Sequence, residues 1–374
     1  MRIVVAPQEF KGSLSARQAA AALAAGVRDA LPAAEVDVVP MSDGGAGLVD
    51  ALLTARGGET VVTPVHDPLM RPVDAAWALL SDGSAAIEMA AASGLVLLAD
   101  AERDPLVATT YGTGELIRAA LDRGCAEIIL GVGGSATVDA GAGAMQALGA
   151  RLLEGAGHDL PPGGAPLARL TRIDLAGRDP RLDRARIRVA SDVTNTLCGR
   201  LGAAAVFGPQ KGARPDDIAT LDAALHHFAA IARRDCGVDV LPVAGSGAAG
   251  GLGAGLMAVA GATIEPGFPL VADAIGLEVK IARADLVLTG EGSLDAQTAY
   301  GKTAAGVAAL ARKHGKPVAA IAGLVDASLD LAASPFDAIE QAAPPGMPAA
   351  DAMRDAATLV QAAARRAMVV LGGA

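Results

Sequence analysis

Glycine alternates with hydroxyl and acidic side chains in two stretches of this sequence, Gly131-Val132-Gly133-Gly134-Ser135-Ala136-Thr137-Val138-Asp139 and Thr289-Gly290-Glu291-Gly292-Ser293-Leu294-Asp295. An apolar run, Ile128–Leu130 or Leu286–Leu288, leads into each. A buried strand that ends this way delivers small polar groups to a ligand at its carboxyl end. Glycine removes the Cβ that would hold an anion off the backbone, and its N–H can point at a phosphate. Gly133, Gly134, Ser135 and Thr137 therefore form the candidate phosphate cradle, with Asp139 a candidate metal partner. A tight strand-to-helix turn is the competing reading of that stretch. The pattern points to an enzyme.

Other motifs carry less. Gly245-Ser246-Gly247-Ala248-Ala249-Gly250 matches a dinucleotide fingerprint letter for letter, but Pro242 interrupts the run before it. Gly251, Gly253 and Gly255 weaken any helix after it. The Gly301-Lys302-Thr303 triplet is no phosphate loop, since Ala296 stands where the first Gly is required. His226 and His227 lie in an amphipathic helical stretch without a third ligand at metal spacing. Cys125, Cys198 and Cys236 are scattered and odd in number, as reduced packing residues would be.

The elements that must position the glycine loops follow from periodicity. Arg2–Ala6 reads as a strand, Ala16–Leu31 as a helix, Glu35–Val39 as a strand and Leu48–Ala55 as a helix. The same rhythm returns late in the chain, with strand Leu286–Thr289, helix Lys302–His314, strand Pro317–Ala322, a short strand near Phe336–Ile339 and helix Ala349–Val370. Between them, Glu59–Pro64, Val73–Leu80 and Ser84–Met89 are too closely spaced for helices and should be antiparallel. The expected fold class is α/β. Residues 1–60 and 281–374 form an open parallel sheet domain of order 2-1-3-4-5, split by a mixed α+β domain over 61–280. At 374 residues the chain has room for both cores. A net charge of −10 argues against a nucleic-acid surface. No run is long and apolar enough for a membrane span, so the expected compartment is the cytoplasm, and a homodimer is left open.

Several strings together resemble the bacterial glycerate kinase family: Val5-Ala6-Pro7 with Phe10-Lys11-Gly12-Ser13-Leu14-Ser15, Ser42-Asp43-Gly44-Gly45, Glu88–Leu95, Tyr111–Glu115, Gly133–Thr137, Ser191-Asp192-Val193, Phe207–Ala213, and Gly290-Glu291-Gly292 with Asp295, Gln297 and Lys302. The resemblance runs from residue 1 to about residue 325. It implies ATP-dependent phosphoryl transfer to a hydroxyl of glycerate, giving 2-phosphoglycerate, with Mg²⁺, on a flavodoxin-like domain joined to a restriction-enzyme-like domain. A kinase for another small hydroxy acid, or a non-catalytic sugar-acid binding protein, would share these residues. The sequence departs from the family pattern at Gln8, Glu9, Ala46, Val138, Thr196 and Ser293, which bears on the acceptor.

Phosphoryl transfer requires cations and N–H donors on the phosphates and a group that orients the attacking hydroxyl. Lys11 is the candidate cation on the transferring phosphoryl group or the glycerate carboxylate. Asp192 is the candidate general base or Mg²⁺ ligand, with a helix or turn cap as the alternative. Ser13, Ser42, Asp43 and Asn195 are candidate acceptor-binding residues, Asp43 being equally a helix cap. Glu291 and Asp295 are candidates for substrate, Mg²⁺ or a ribose. Gly290, Gly292, Lys211 and Lys302 are candidates for the nucleotide phosphates, each lysine having an ordinary solvated role as its alternative.

Overall fold

Apolar runs bounded by Gly, Pro and Asp become strands in the computed structural model, which describes residues 1–294, 303–326 and 334–371. In chain order these are β1 (Arg2–Val5), β2 (Glu35–Val38), β3 (Gly58–His66), β4 (Pro72–Leu80), β5 (Ala85–Glu88), β6 (Glu127–Gly131), β7 (Arg151–Glu154), β8 (Leu170–Asp174), β9 (Arg186–Ala190), β10 (Thr263–Glu265), β11 (Leu286–Leu294), β12 (Val318–Val325) and β13 (Ala338–Gln341). The chain divides into two compact units, one of Met1–Asp43, Asp50–Arg56 and Phe268–Ala374, the other of Gly44–Val49 and Gly57–Gly267.

The first unit holds a five-stranded sheet in the order β13-β12-β11-β1-β2. Every pairing in it is parallel, and β1 meets β11 with Ile3 opposite Leu286 and Val5 opposite Leu288. The two ends of the chain thus share one sheet. Ile3, Val5, Leu286, Leu288, Ala319 and Ile321 bury one face against helices Ala16–Ala30 and Ala356–Leu371. Each fully buried Val, Leu or Ile of this kind contributes about 1.5–3 kcal/mol. Ser15 starts the first helix with a capping box, its Oγ accepting from Gln18 N–H while Gln18 Oε1 accepts from Ser15 N–H. Helix Thr303–Lys313 packs on β11 and β12, and its buried Val307, Ala308 and Ala311 lie outside that cluster.

Two expectations change here. The β11 strand continues past Thr289 to Leu294, because Gly290, Glu291, Ser293 and Leu294 stay in register with Ile321, Ala322, Leu324 and Val325 of β12. Glu291 therefore sits on a strand rather than in a loop. The terminal helix is interrupted at Asp355, giving Ala349–Arg354 and Ala356–Leu371.

The second unit holds a six-stranded sheet, β10-β9-β6-β5-β4-β3. The pairs β3–β4 and β4–β5 are antiparallel, as the short spacing requires, and β5, β6, β9 and β10 pair in parallel. Trp77 anchors the antiparallel edge, fully buried with its Nε1 donating to Thr63 Oγ1 at 2.9 Å.

Short segments on either side of these units have identifiable reasons for their assignment. Residues 268–280 belong to the first unit because a Cβ on Gly306 would collide with the Phe268 ring, and because Glu278 accepts from His314 at 2.9 Å. Gly44–Val49 belongs to the second unit because it lies over the carboxyl ends of β5, β6 and β9. Val49 N–H donates to Glu88 Oε1 at 3.0 Å, and a Cβ on Gly44 (φ +88°) would come within 2.6 Å of Ala190 Cβ.

Candidate functional site

In the first unit the chain leaves β1 and is stitched to β11: Ala6 N–H donates to the Leu288 carbonyl, Gln8 N–H to the Gly290 carbonyl and Thr289 Oγ1 to the Ala6 carbonyl. Phe10 is buried in the core and exchanges backbone hydrogen bonds with Leu14, closing a tight turn. Gly12 completes it with φ +79°. Lys11 is left exposed at the tip. Ser13, expected to bind substrate, instead donates its Oγ to the Phe10 carbonyl at 2.9 Å and so braces this turn.

Lys11, Ser13, Asp43 and Glu291 line a cavity of about 640 Å³ together with Gln8 and Glu9. It lies at the carboxyl edge of a parallel sheet, where ligands of such folds bind. Asp43 Oδ2 accepts from Gln8 Nε2 at 2.8 Å. Burial, then the neighbouring Asp43 carboxylate, push the Glu9 carboxyl above its ordinary value, while Lys11 pulls the other way. The neutral amide of Gln8 thus pairs with Asp43, and an acid stands one position later at Glu9. Gly292 borders the cavity, where a Cβ would approach Lys11 N to 3.1 Å. Gly290 is buried inside β11, pressed against the Ile321 carbonyl, so strand packing accounts for its lack of a side chain. Ser42 is buried completely. Asp295 and Lys302 lie outside the described residues.

In the second unit the loops after β6 and β9 are built differently. Gly133 and Gly134 are exposed, Ser135 and Thr137 buried. The stretch does not turn directly into a helix. It pairs with the chain at Gly94, with Leu95 N–H donating to the Gly134 carbonyl and Ala136 N–H to the Ser93 carbonyl, both at 2.9 Å. Behind it stands Lys211, which is 1% exposed and donates its Nζ to Ser135 Oγ and to the Thr137 carbonyl, each at 2.7 Å. This replaces the solvated lysine as the alternative to a phosphate contact: Lys211 holds the loop from within. Burial pushes its ammonium down to about 7, against the opposing pull of Asp139.

Asp139 is fully buried and its carboxylate is enclosed by donors. Oδ2 accepts from Thr110 N–H and Oγ1 at 2.9 Å and from Gly143 N–H at 3.2 Å, and Oδ1 accepts from Gly141 N–H at 3.1 Å. Burial raises its carboxyl, and these hydrogen bonds oppose the rise. A metal would have to displace them, so the geometry argues against the metal role and makes Asp139 the organiser of the turn. The segment Ala248–Gly251 backs the same turn, with the Gly250 carbonyl accepting from Ala140 N–H at 2.9 Å. A Cβ on Gly250 (φ +67°) would run into the Thr137 carbonyl. The dinucleotide fingerprint is thus packing material.

After β9, Asp192 is exposed, and its Oδ1 accepts from Gly267 N–H at 2.6 Å. Asn195 donates Nδ2 to the Leu201 carbonyl at 2.7 Å and its carbonyl accepts from Gly247 N–H at 3.0 Å, so it braces its own loop.

All three cysteines are free, and burial pushes the Cys198 and Cys236 thiols up to about 12 and about 11. Among the described residues no group of three or more His, Cys, Asp or Glu is placed to hold a metal, and no helix is long and apolar enough to cross a membrane. Lys211 and Glu9 are what the sequence reading underrates. The signal for Lys211 is a lysine set among small and apolar residues, Ala203–Pro209 and Gly212-Ala213.

The chain as a whole is similar to known proteins. The chain is 47% identical over 332 residues to a glycerate kinase of Haemophilus influenzae, covering 88% of each chain. It is 44% identical over 367 residues to a glycerate kinase of Bacillus subtilis, covering 98% of this chain and 96% of that one. A glycerate 2-kinase of Escherichia coli is 49% identical over 324 residues, covering 86% and 85%. A crystal structure of a Salmonella typhimurium LT2 homologue superimposes with a TM-score of 0.90 at 48% identity, covering 100% of this chain and 98% of that chain. The glycerate kinase family matches residues 3–372. The chain belongs to the glycerate kinase family.

Proposed function

We propose that the protein is an ATP-dependent glycerate kinase of the cytoplasm, which transfers the γ-phosphoryl group to the 2-hydroxyl of glycerate and gives 2-phosphoglycerate. Relatives named glycerate kinase and glycerate 2-kinase support the acceptor. In the same reading the first unit is a doubly wound flavodoxin-like domain and the second a restriction-enzyme-like insertion.

The observation that carries the reading is Lys11, exposed at the tip of a braced turn and lining one cavity with Glu291 and Asp43. Phosphoryl transfer asks the protein for position and charge rather than covalent chemistry. Lys11 supplies a cation to the transferring group, from a backbone position that the Phe10–Leu14 turn fixes. Gly133 and Gly134 offer exposed backbone to phosphate oxygens, on a loop that Lys211 keeps in shape. Mg²⁺ takes one or two carboxylates and keeps several waters, a demand that the exposed Asp192 fits and the enclosed Asp139 does not. When bound, the ion would offset charge on the nucleotide phosphates. Asp192 is alternatively the group that accepts the proton of the attacking hydroxyl.

A coupled ADP-release assay with glycerate, ATP and Mg²⁺, followed by ³¹P NMR of the product, tests this. The expected result is ADP formation with 2-phosphoglycerate as product. ADP formed only with another hydroxy acid would overturn the acceptor, and no ADP from folded protein would overturn the kinase.

A further inference from the structure

We infer that the apolar half of the first unit's cavity is the seat of the nucleotide's purine base. The inference rests on the kinase reading and deepens it by assigning the two substrates to different surroundings.

Sheet order separates the cavity's lining into two kinds. The loop after β1, the chain after β2 and β11 contribute the charged and amide side chains, Gln8, Glu9, Lys11, Asp43 and Glu291, together with the ring of Phe10. Those contributed from the end of β12, from the chain after β13 and from the helices of the carboxyl-terminal segment are apolar: Leu324, Met347, Met353, Leu359 and Val360, interleaved with alanines. Two of these large apolar side chains remain open to solvent, Leu324 at 57% and Met353 at 52% exposed. Ligand pockets are lined predominantly by apolar side chains with a few placed polar groups, as this one is.

The chemistry of the two substrates decides which of them belongs there. Glycerate carries an oxygen on each of its three carbons and has no apolar face to bury, so placing it among methionines and alanines would strip water from its carboxylate without return. A purine is a flat ring system with two apolar faces, and methionine and leucine side chains pack well on such faces. A cavity of about 640 Å³ lies within the usual range for cofactor-sized ligands. A Cβ placed on Gly12 would lie 3.9 Å from Met353 Cε, so the apolar half begins beside the turn that presents Lys11. A base seated there would have its phosphates start next to the lysine.

The test compares two probes, MgADP and magnesium pyrophosphate, on wild-type protein and on Ala352→Trp, which adds bulk from the carboxyl-terminal helix that lines the apolar half. Titration calorimetry should show the Kd for MgADP raised about tenfold or more, the Kd for pyrophosphate unchanged, and steady-state kinetics a matching rise in KM for ATP with KM for glycerate within about twofold. Met353→Ala, altering an exposed side chain, should raise the MgADP Kd by a few-fold and serves as the deciding variant if Ala352→Trp does not fold. The inference is overturned if MgADP affinity is unaltered, if MgADP and pyrophosphate weaken equally, or if KM for glycerate rises instead. Absence of turnover in the wild type would overturn the kinase reading, while the calorimetric comparison would still decide where the base sits.

Discussion

Lys11 and Lys211 are the same residue type beside glycine-containing turns and meet opposite surroundings. Lys11 stands exposed on the rim of a cavity with acids facing it. Lys211 is sunk under a loop, both of its hydrogen bonds going to the protein itself. The difference teaches how to divide charged residues in such a molecule. A charge held at the surface of a rigid turn is available to a substrate, whereas a charge buried with its partners is spent on shaping the loop above it. The same division separates the exposed Asp192 from the enclosed Asp139.

The largest effect should come from the buried pair. Asp139→Ala leaves the Thr110, Gly141 and Gly143 donors unmet and removes the acid facing Lys211, so urea denaturation should show about 3–5 kcal/mol lost. A loss within about 0.5 kcal/mol, the range of surface substitutions, would mean the carboxylate is not structural and would reopen its metal role. Next is Gly250→Ala, which places a Cβ at φ +67° against the Thr137 carbonyl. It should cost about 1–3 kcal/mol and weaken nucleotide binding through the displaced loop; an unshifted melting temperature would uncouple the two segments.

Lys211 also predicts a pH dependence. Its folded-state value of about 7 lies below the ordinary 10.5, so between these values the unfolded chain binds more protons than the folded one. The cost of burying the ammonium is fully present below about pH 7 and is relieved as pH rises toward 10.5. Stability of the wild type relative to Lys211→Met should therefore climb from pH 7 to 9.5, read by denaturant midpoints. Parallel curves would show that the lysine titrates normally. The smallest effect on stability, within about 0.5 kcal/mol, is expected for Asp192→Asn, since the amide oxygen can still accept from Gly267 N–H. Its Mg²⁺ and pH dependence of turnover should nevertheless change, and an unchanged profile would leave Asp192 as a cap.

Much of this was legible in the residues. The alternation of apolar strands and alanine-rich helices at both ends predicts one parallel sheet, and β1 and β11 are paired in it. Tight spacing between Glu59 and Met89 predicts the antiparallel strands. What the residues did not reveal depends on long-range contacts. Glu291 extends a strand because β12 continues beside it, which no local pattern in a glycine-rich string can indicate. Asp139 is filled by Thr110, a residue 29 positions away. Lys211 is buried by a loop 74 to 76 positions earlier. The Ser13 hydroxyl and the Asn195 amide N–H also donate to neighbouring carbonyls, the usual competitor for short polar side chains in turns.

The central claim is that the exposed lysine, not the buried one, meets the transferring phosphoryl group. Single-turnover kinetics of Lys11→Ala with ATP, Mg²⁺ and glycerate test it most directly. The account predicts a phosphoryl-transfer rate lower by about two orders of magnitude or more, with stability within about 0.5 kcal/mol of wild type. A wild-type rate in a folded Lys11→Ala protein would contradict it.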